Sequence, residues 1–384
     1  MALGWVAFFG GLAQDMIQPL LPVFYTTVLG LRKEYVGLIE GTLATTVSLM
    51  KIGAGYVSDA LHKRRAIVFA GYALSAVGRL ALGFVGSGMA ALGARTVDGV
   101  GKGLKDAPRD ALVADSAGAR SLGRAFGIQR TLDTLGSVAG PLIAVALLRM
   151  WAGHDNRYRE VFLVAGVVAA IPLVIIALAV RERRTPVARQ RLGTRSLGRP
   201  FAWFLAANLL FTLGNSSDAF IILRAQNIGM AVATIPIAYA LFNLVSAAAA
   251  IPAGRMSDAF GRRRVILLAW MVYAMVYAGF ALARPVWLVW VLYATYGLYY
   301  ALAEGAAKAL VAEVVPDELR GRAYGLYSAA IGVMALPASL IAGILWERVS
   351  PATPFLFGAA MAVAGMVGLA VVPTGSATRP QAVA

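Results

Sequence analysis

Twelve runs of about twenty or more mostly apolar residues follow one another along the chain, and they constrain its fold more than any other feature. A helix of about twenty residues crosses the roughly 30 Å hydrocarbon core of a bilayer with its backbone polar groups bonded internally. The runs cover residues 3–29, 35–57, 66–86, 88–117, 124–150, 160–180, 200–223, 230–253, 264–283, 286–314, 321–346 and 353–373. The chain is therefore predicted to be an all-α membrane protein with twelve transmembrane helices.

Composition narrows the possible functions. The chain is 59% hydrophobic and 14% charged, whereas a soluble domain is roughly one-half apolar and one-quarter charged. Its net charge of +16 reflects basic residues placed between the apolar runs, which is typical of membrane topology and not of nucleic-acid binding. With no cysteine and two histidines, both in polar connections, neither a disulfide nor a metal site is expected, and no cofactor is implied. The first run lacks a cleavage site, so we interpret it as a retained span.

The longest polar connection divides the spans six and six. Residues 181–199, RERRTPVARQRLGTRSLGR, hold seven arginines and no apolar periodicity. They are interpreted as a linker between an N-terminal six-helix bundle, 1–180, and a C-terminal one, 200–384. Lysines and arginines concentrate in this linker and in the other connections that follow even-numbered spans. The positive-inside rule therefore places the linker and both termini in the cytoplasm.

Two short stretches of one half recur in the other. GYVSDALHKRR begins at Gly55 and GRMSDAFGRRR begins at Gly254, 199 residues later, with six of eleven positions identical. GRAFG at Gly123 recurs as GRAYG at Gly321, at an offset of 198. Two motif pairs at nearly one offset indicate a duplicated six-helix unit and hence two pseudo-symmetric bundles.

The twelve spans, the duplicated half and the motif after span two resemble the major facilitator superfamily (MFS) of secondary transporters, along essentially the whole chain. That family has a G-x-x-x-D-x-x-G-R-[KR] loop, which is matched here with His62 in place of one glycine and more fully in the second half. Each Asp can accept hydrogen bonds from a helix N-terminus or pair with arginine. The resemblance implies a gate that stabilises one of two arrangements of the halves, and a positive-inside turn is the structural alternative. The gate residues are Gly55, Asp59, Arg64, Arg65, Gly254, Asp258, Arg262 and Arg263.

Two further segments carry the resemblance. RTVDGVGKG in span four matches an R-x-x-x-G pattern through Arg95 and Gly99. GSVAGP in span five matches the G-x-x-x-G-P pattern associated with antiporters, through Gly136, Gly140 and Pro141. Its counterpart in span eleven, GVMALP, lacks the second glycine, an asymmetry typical of exporters in this family. The resemblance implies a monomeric exporter-like protein of the bacterial cytoplasmic (inner) membrane.

Ionisable side chains inside the spans are the strongest functional signal, because they are costly in a bilayer and usually face the protein interior. Span four alternates basic and acidic residues at three- and four-residue spacing, so opposite charges can neutralise each other along one face. A salt-bridge ladder without a transport role is the structural alternative. The candidates for substrate binding or a charge network are Lys51, Arg95, Asp98, Lys102, Lys105, Arg109, Arg130, Asp133, Glu304 and Lys308.

Carboxylates within the spans are candidates for proton coupling. A carboxylate that alternates between an apolar environment and one near a cation can take up and release a proton. The alternative for the first of them is a structural ion pair with Lys102 or Arg109. The candidates are Asp15, Glu40, Asp106 and Asp110.

The C-terminal half has fewer charges and more aromatic residues. Asp218 and Arg224 lie in span seven, and Glu304 and Lys308, four residues apart in span ten, are expected to pair. Its tyrosines are suited to cradling an amphipathic or aromatic substrate, although interior packing is the more common role. They include Tyr293, Tyr296, Tyr299, Tyr300 and Tyr324.

The expected function is a proton-coupled secondary transporter that exports a small molecule as its two halves rock around a midplane site. One alternative is an uptake symporter or uniporter for a small polar or anionic solute, bound by Lys102, Lys105 and Arg109. A membrane receptor without transport is another. An enzyme is not expected: GVGKG, 99–103, follows no strand and lacks the Ser or Thr of a phosphate loop, and no other catalytic constellation is visible.

Overall fold

The computed structural model describes residues 1–61, 63–116, 122–180, 196–316 and 319–371, except for the side chains of residues 55–57, 59–61, 122 and 123. These residues are almost entirely helical, and no β-strand occurs among them. Nine helical segments in this part of the chain are long and apolar enough to cross a membrane. The remaining three predicted spans are the first, second and fourth. They are a broken helix and two helices that carry ionisable residues.

Fourteen α-helices run through the described residues. In the N-terminal half, residues 1–180, they are α1 Ala2–Ile17, α2 Leu21–Val23, α3 Lys33–Leu61, α4 Arg64–Leu82, α5 Gly88–Ser116, α6 Leu122–Met150 and α7 Arg157–Ala179. In the C-terminal half, residues 196–371, they are α8 Arg199–Gly214, α9 Ala219–Ile228, α10 Ile235–Phe260, α11 Arg262–Leu282, α12 Val286–Val314, α13 Arg320–Arg348 and α14 Thr353–Val371. A π-helical turn, Phe24–Val28, follows α2.

The helices repeat as the sequence predicts. α5 and α12 each contain 29 residues, as do α6 and α13, and the bounds of each pair differ by 198. The expectation of an all-helical fold built from two similar halves is confirmed. Most of the predicted linker, residues 181–195, lies outside the described residues, so the division into two domains there stays a prediction.

Two predicted spans are broken near their middle. Span one consists of α1 and α2, with the turn between them at Pro19, which has no N–H and clashes with the carbonyl group four residues earlier. Span seven consists of α8 and α9, which are separated by the polar residues 215–218. Gln18 and Ser216 lie in the two breaks, 198 residues apart. Broken spans expose backbone polar groups inside the membrane, and transporters use them to form binding sites.

The repeated motif after spans two and eight is mostly helical and not a loop. α3 continues to Leu61 and α10 to Phe260, so Asp59 and Asp258 lie in last turns of helices. Gly261 then reverses the chain direction at φ +88°, a conformation that glycine adopts without strain. The exposure of Gly55, the side chain of Asp59 and all of His62 lie outside the described part.

Close packing inside the N-terminal half depends on the GSVAGP segment of α6. A β-carbon at Gly136 would lie 2.2 Å from the carbonyl oxygen of Phe8, and one at Gly140 would lie 2.5 Å from that of Leu12. The two glycines therefore let α6 and α1 meet backbone to backbone, as small residues do in membrane bundles.

The two halves meet mainly where α3 packs on α13 and α6 packs on α10. At the start of α3, a β-carbon at Gly37 would lie 2.2 Å from the carbonyl oxygen of Ser339. Toward the end of α3 the two helices have diverged: Ile52 is 41% exposed, and a β-carbon at Gly325 would meet nothing within 4 Å. We call these the closed end, where α3 begins and α13 ends, and the open end, where α3 ends and α13 begins.

Candidate functional site

Four charged side chains form a buried network in the N-terminal half. Arg95 of α5 lies 3.1 and 3.2 Å from the two carboxylate oxygens of Glu40 in α3. Its other terminal nitrogen lies 3.1 Å from Oδ2 of Asp98. Oδ1 of Asp98 lies 3.3 Å from Nε of Arg79, in α4. Each of the four is at most 3% exposed, so the network ties α3, α4 and α5 together away from lipid and water.

This network also reaches the break in span one. Arg95 donates a 3.3 Å hydrogen bond to Oε1 of Gln18, and Arg79 donates a 3.4 Å bond to the carbonyl oxygen of Gly10. The sequence predicted Arg95, Asp98 and Glu40 but missed Arg79. The signal was present, because a single arginine inside the third apolar run is costly unless it is paired.

A second set of charges lies along α5 toward the open end. Nζ of Lys51 is 3.8 Å from Oδ2 of Asp106, which joins α3 to α5. Arg109 lies 3.1 Å from Oδ1 of its neighbour Asp110, and Gln129 of α6 donates to the same oxygen at 3.4 Å. The alternating charges of α5 are therefore satisfied partly by neighbouring helices and partly along α5 itself.

Lys105 occupies a different environment from the other basic residues of α5. It is 4% exposed, and its ammonium lies 4.1 Å from the centre of the Tyr72 ring in α4. This cation–π contact holds the charge inside the N-terminal half. Lys102, one turn earlier on α5, is partly buried.

Asp15 is a buried carboxylate near the break in span one. It is 5% exposed, and its Oδ1 has no hydrogen-bond partner among the described residues. No ion pair within 4.0 Å joins it to Lys102 or Arg109 in this part of the chain. One turn earlier, a β-carbon at Gly11 would lie 3.1 Å from Oδ1 of Asp133. Asp15 and Asp133 therefore both lie along the α1–α6 contact.

Charged side chains of the two halves contact each other across the cleft near the open end. Arg130 of α6 lies 3.7 Å from Oε2 of Glu304 in α12, and Lys308 lies 2.9 Å from Oε1 of the same residue. These three side chains are 52 to 69% exposed, so they line an accessible cleft between the halves. Asn243 of α10 donates a 2.9 Å hydrogen bond to the carbonyl oxygen of Ser137 in α6.

The arginines of the repeated motif contact residues of their own half. Arg262 pairs with Glu313 at 2.8 Å, and Arg64 pairs with Asp115, the residue 198 positions earlier than Glu313. Arg65 donates to the carbonyl oxygen of Ala177 at 2.6 Å, and Arg263 donates to that of Ala370. Gly254 and Asp258 are exposed at the open end. The arginines of the motif thus hold helix ends together within each half, at the open end.

The C-terminal half holds one carboxylate at the break in span seven. Oη of Tyr296 donates a 2.6 Å hydrogen bond to Oδ1 of Asp218, and Oη of Tyr300 donates a 3.2 Å bond to Oδ2. Asn215, in the same break, donates to Oη of Tyr299 at 3.5 Å. Sequence reasoning named Asp218 and the tyrosines separately. It did not foresee that the break brings them together.

A sequence model of the Major Facilitator Superfamily matches residues 3–224 and 204–383. The chain belongs to the major facilitator superfamily. An uncharacterized MFS-type transporter of Methanocaldococcus jannaschii is 34% identical over 370 residues, which cover 94% of this chain and 91% of that protein. The protein is therefore an MFS-type multi-pass membrane transporter, which implies a small-molecule substrate.

Solved MFS structures share the fold at low sequence identity. The nucleoside transporter NupG, as its D323A mutant, superposes with a TM-score of 0.82 at 12% identity and covers 97% of this chain and 98% of that one. A bacterial homologue of the human lysosomal transporter Spinster, in an inward-facing and occupied conformation, superposes with a TM-score of 0.74 at 16% identity, covering 97% and 94%. At such identities the similarity shows the fold alone.

Proposed function

We propose that this MFS transporter is a proton-coupled antiporter that exports a small molecule across the bacterial cytoplasmic membrane. The observation that carries the proposal is the unequal contact between the halves. Helices α3 and α13 are in backbone contact at the closed end and apart at the open end, where the Arg130–Glu304 ion pair spans the charged cleft at 3.7 Å. Alternating access requires the joined and separated ends to exchange during each cycle. One chain supplies both halves of the cleft, so a monomer suffices.

Charge distribution supports an orientation for this conformation. Arg64, Arg65, Arg262 and Arg263 lie at the open end. The positive-inside rule places such residues in the cytoplasm, and with them both termini. The cleft is then open to the cytoplasm, where an exporter takes up its substrate, and the packed α3–α13 contact lies at the opposite end.

Asp15 is the proton carrier in this proposal. The other three candidates contact cations: Glu40 pairs with Arg95, Asp106 with Lys51 and Asp110 with Arg109. Asp15 is buried without such a partner. A buried carboxylate with no cation in direct contact is costly to ionise, so its protonation depends strongly on whether the surrounding helices move.

The antiporter-like GSVAGP segment supports the same assignment through a direct contact. A β-carbon at Gly140 would lie 2.9 Å from the backbone nitrogen of Met16 and 3.1 Å from the carbonyl carbon of Asp15. Any sliding of α6 against α1 therefore changes the surroundings of Asp15. This contact links the proton site to a helix that also touches the C-terminal half through α10.

Spin labels can test the proposal without knowledge of the substrate. The native chain has no cysteine, so Ile52→Cys and Gly325→Cys accept labels at those two positions only. We expect a long and a short distance between the labels in lipid nanodiscs, with a ratio that changes with pH. Asp15→Asn should remove the pH dependence, and Asp155→Asn, an exposed loop residue, should not. One distance at every pH contradicts the proposal.

Direction is tested in inside-out vesicles with an acidified lumen, monitored by a pH-sensitive dye. Addition of a transported compound should release protons from the lumen as the compound accumulates there. Linking Glu34→Cys to Arg348→Cys across the closed end with a reducible bifunctional thiol reagent should stop this release, and reduction should restore it, because the native side chains meet there, with 3.6 Å between Oε1 of Glu34 and Nε of Arg348. Proton movement in the same direction as the compound would instead indicate a symporter.

A further inference from the structure

Asp218 carries no cationic partner in the described part of the chain. Its two oxygens accept hydrogen bonds from the hydroxyl groups of Tyr296 and Tyr300. The negative charge of Glu40, in the other half, repels that of Asp218. A carboxylate in this setting is hydrogen-bonded but has no cation in contact, so either a proton or a cation from elsewhere can neutralise it.

The repeat shows that the basic residues of the N-terminal network have no basic counterparts in the C-terminal half. At the 198-residue offset that relates α5 to α12, the four charged positions around the N-terminal break become tyrosines. The replacements are Arg79 by Tyr277, Arg95 by Tyr293, Asp98 by Tyr296 and Lys102 by Tyr300. The N-terminal half therefore provides its own cations near its broken span. The C-terminal half has neutral aromatic rings at these positions, around one carboxylate.

These rings form a box next to Asp218. The ring of Phe242 lies 5.4 Å from that of Tyr296 and 5.1 Å from that of Tyr300, and Tyr239 lies 5.6 Å from Phe242. Aromatic faces attract cations, and such boxes recognise quaternary ammonium groups. The hydroxyl group of Tyr293, in the wall of the box, is buried without a hydrogen-bond partner among the described residues.

We propose that Asp218 and the aromatic box of Tyr239, Phe242, Tyr293, Tyr296 and Tyr300 bind the positive end of the substrate, which is a small organic cation with an aromatic or aliphatic body. This assignment of substrate class rests on the proposed transport function. The cation supplies a positive charge to Asp218, which contacts two tyrosine hydroxyl groups and no basic side chain among the described residues. The aromatic walls supply apolar contact for the body of an organic cation. An inorganic cation, which is bound through oxygen ligands or water, would gain little from them.

In the present conformation the box is closed over the carboxylate. The empty space between its side chains totals about 180 Å³, but no part of it is wide enough for a water molecule. The hydroxyl groups of Tyr296 and Tyr300 occupy the positions on the Asp218 oxygens that an ammonium group needs. Ligand entry therefore requires at least one tyrosine to rotate away, and the two hydroxyls compete with the ligand.

Because of that competition, removing a tyrosine hydroxyl group should strengthen cation binding. A tyrosine that served only in packing would not have this effect. The probe is isotopically labelled phenyltrimethylammonium, measured by equilibrium binding to purified protein in lipid nanodiscs with empty nanodiscs subtracted. We expect saturable binding to the wild type that benzenesulfonate does not displace. Asp218→Asn should weaken it about tenfold, the scale of a lost charge-assisted contact. Tyr300→Phe should strengthen it about twofold to threefold, because one competing hydrogen bond is removed.

Asp155→Asn is the matched control, since it makes the same chemical change at an exposed position outside the cleft. It should leave the binding constant unchanged. Unchanged binding in Asp218→Asn, weaker binding in Tyr300→Phe, or no saturable binding to the wild type would each overturn the proposal. If Asp218→Asn does not give a monodisperse helical protein, the Tyr300→Phe arm decides.

The binding assay requires no transport, so the two proposals fail separately. If the cation does not bind but the distance between the labels at Ile52→Cys and Gly325→Cys still changes with pH, the proposed substrate class is wrong and the proposed antiport stands. If the cation binds but the label distance is the same at every pH, the substrate class stands and the proposed antiport is wrong.

Discussion

Oγ1 of Thr45 in α3 donates a 2.7 Å hydrogen bond to the carbonyl oxygen of Gly332 in α13, directly across the boundary between the halves. The contact is possible because residue 332 has no side chain: a β-carbon there would lie 2.0 Å from that of Ser48. Small residues allow such backbone approach in membrane bundles, where packing replaces the hydrophobic effect between helices. Gly332 is thus one of the glycines that let α3 and α13 meet on the joined side of the cleft.

Gly332→Val should weaken the contact between α3 and α13 and separate the halves at the closed end. Spin labels at Glu34→Cys and Arg348→Cys should then show a longer distance than they do with Gly332 present. Gly325→Val is the matched control. It lies two turns away on the same helix, where a side chain meets open space, and should leave the distance unchanged. Equal distances in all three proteins would mean that the glycine does not hold the closed end.

Ion pairs across the closed end should bias the same equilibrium weakly. Arg32 lies 3.7 Å from Glu347, and Arg348 lies 3.6 Å from Glu34. The arginines are 57 and 71% exposed, so each pair contributes up to about 1 kcal/mol and is screened by salt.

Replacing both glutamates by glutamine should therefore increase the population with a short distance between labels at Ile52→Cys and Gly325→Cys, by about fivefold to tenfold at low salt. High salt should produce a similar shift in the wild type. Glu160→Gln, which removes a pair with His154 inside one half, serves as the control. A salt-independent distance distribution would contradict this role.

Arg95→Met should destabilise the protein strongly, because it leaves Glu40 and Asp98 buried without this partner. Breaking a buried ion pair by removing one side costs about 3–5 kcal/mol. Thermal unfolding in detergent, followed by tryptophan fluorescence, should show a clear loss relative to Arg149→Met, which removes an exposed arginine. Equal losses in the two variants would show that the buried network does not stabilise the fold.

Asp15→Asn should not destabilise the protein, whereas Glu40→Gln should. Both carboxylates are nearly inaccessible, but Glu40 is paired with Arg95 and Asp15 has no cation within 4.0 Å among the described residues. Neutralising Asp15 removes the cost of a buried charge, so the unfolding temperature should be unchanged or higher. Neutralising Glu40 removes one of the two carboxylates paired with Arg95, so the unfolding temperature should fall. A marked loss for Asp15→Asn would indicate that its carboxylate has a structural partner.

The arginines of the repeated motif should act within their halves in this conformation. Arg262→Glu should lower thermal stability by an amount equivalent to about 0.2–1 kcal/mol, and adding Glu313→Arg should restore it, because the two lie 2.8 Å apart in one half. The label distance between positions 52 and 325 should not change in either variant. A change in that distance would show that Arg262 acts between the halves.

The helical architecture was largely readable from the chain. Apolar run length predicted the spans, and the recurring motifs predicted the 198-residue repeat that relates α5 to α12. The breaks in spans one and seven were missed. Pro19 was visible in the sequence, but whether a proline or a polar segment interrupts a helix depends on neighbours that satisfy the freed backbone groups.

The sequence predicted ion pairs only between residues three or four positions apart on one helix. Spacings of three and four residues pointed to Arg95 with Asp98 and to Lys308 with Glu304, and the structure places both pairs in contact. The contact of Arg95 with Glu40 joins residues 55 positions apart. No local spacing could indicate it, because the rotation and depth of α3 relative to α5 follow from packing along their whole length.

Run length, residue spacing and duplication thus specified a membrane-spanning helical repeat with charges concentrated in its first half. These features are local, and a helix converts sequence distance into a fixed position on its own surface. Packing between helices decided the rest: which end of the cleft is joined, and which carboxylates remain without a cation. Asp15 and Asp218 stand apart from the other acidic residues because of the side chains that neighbouring helices bring to them.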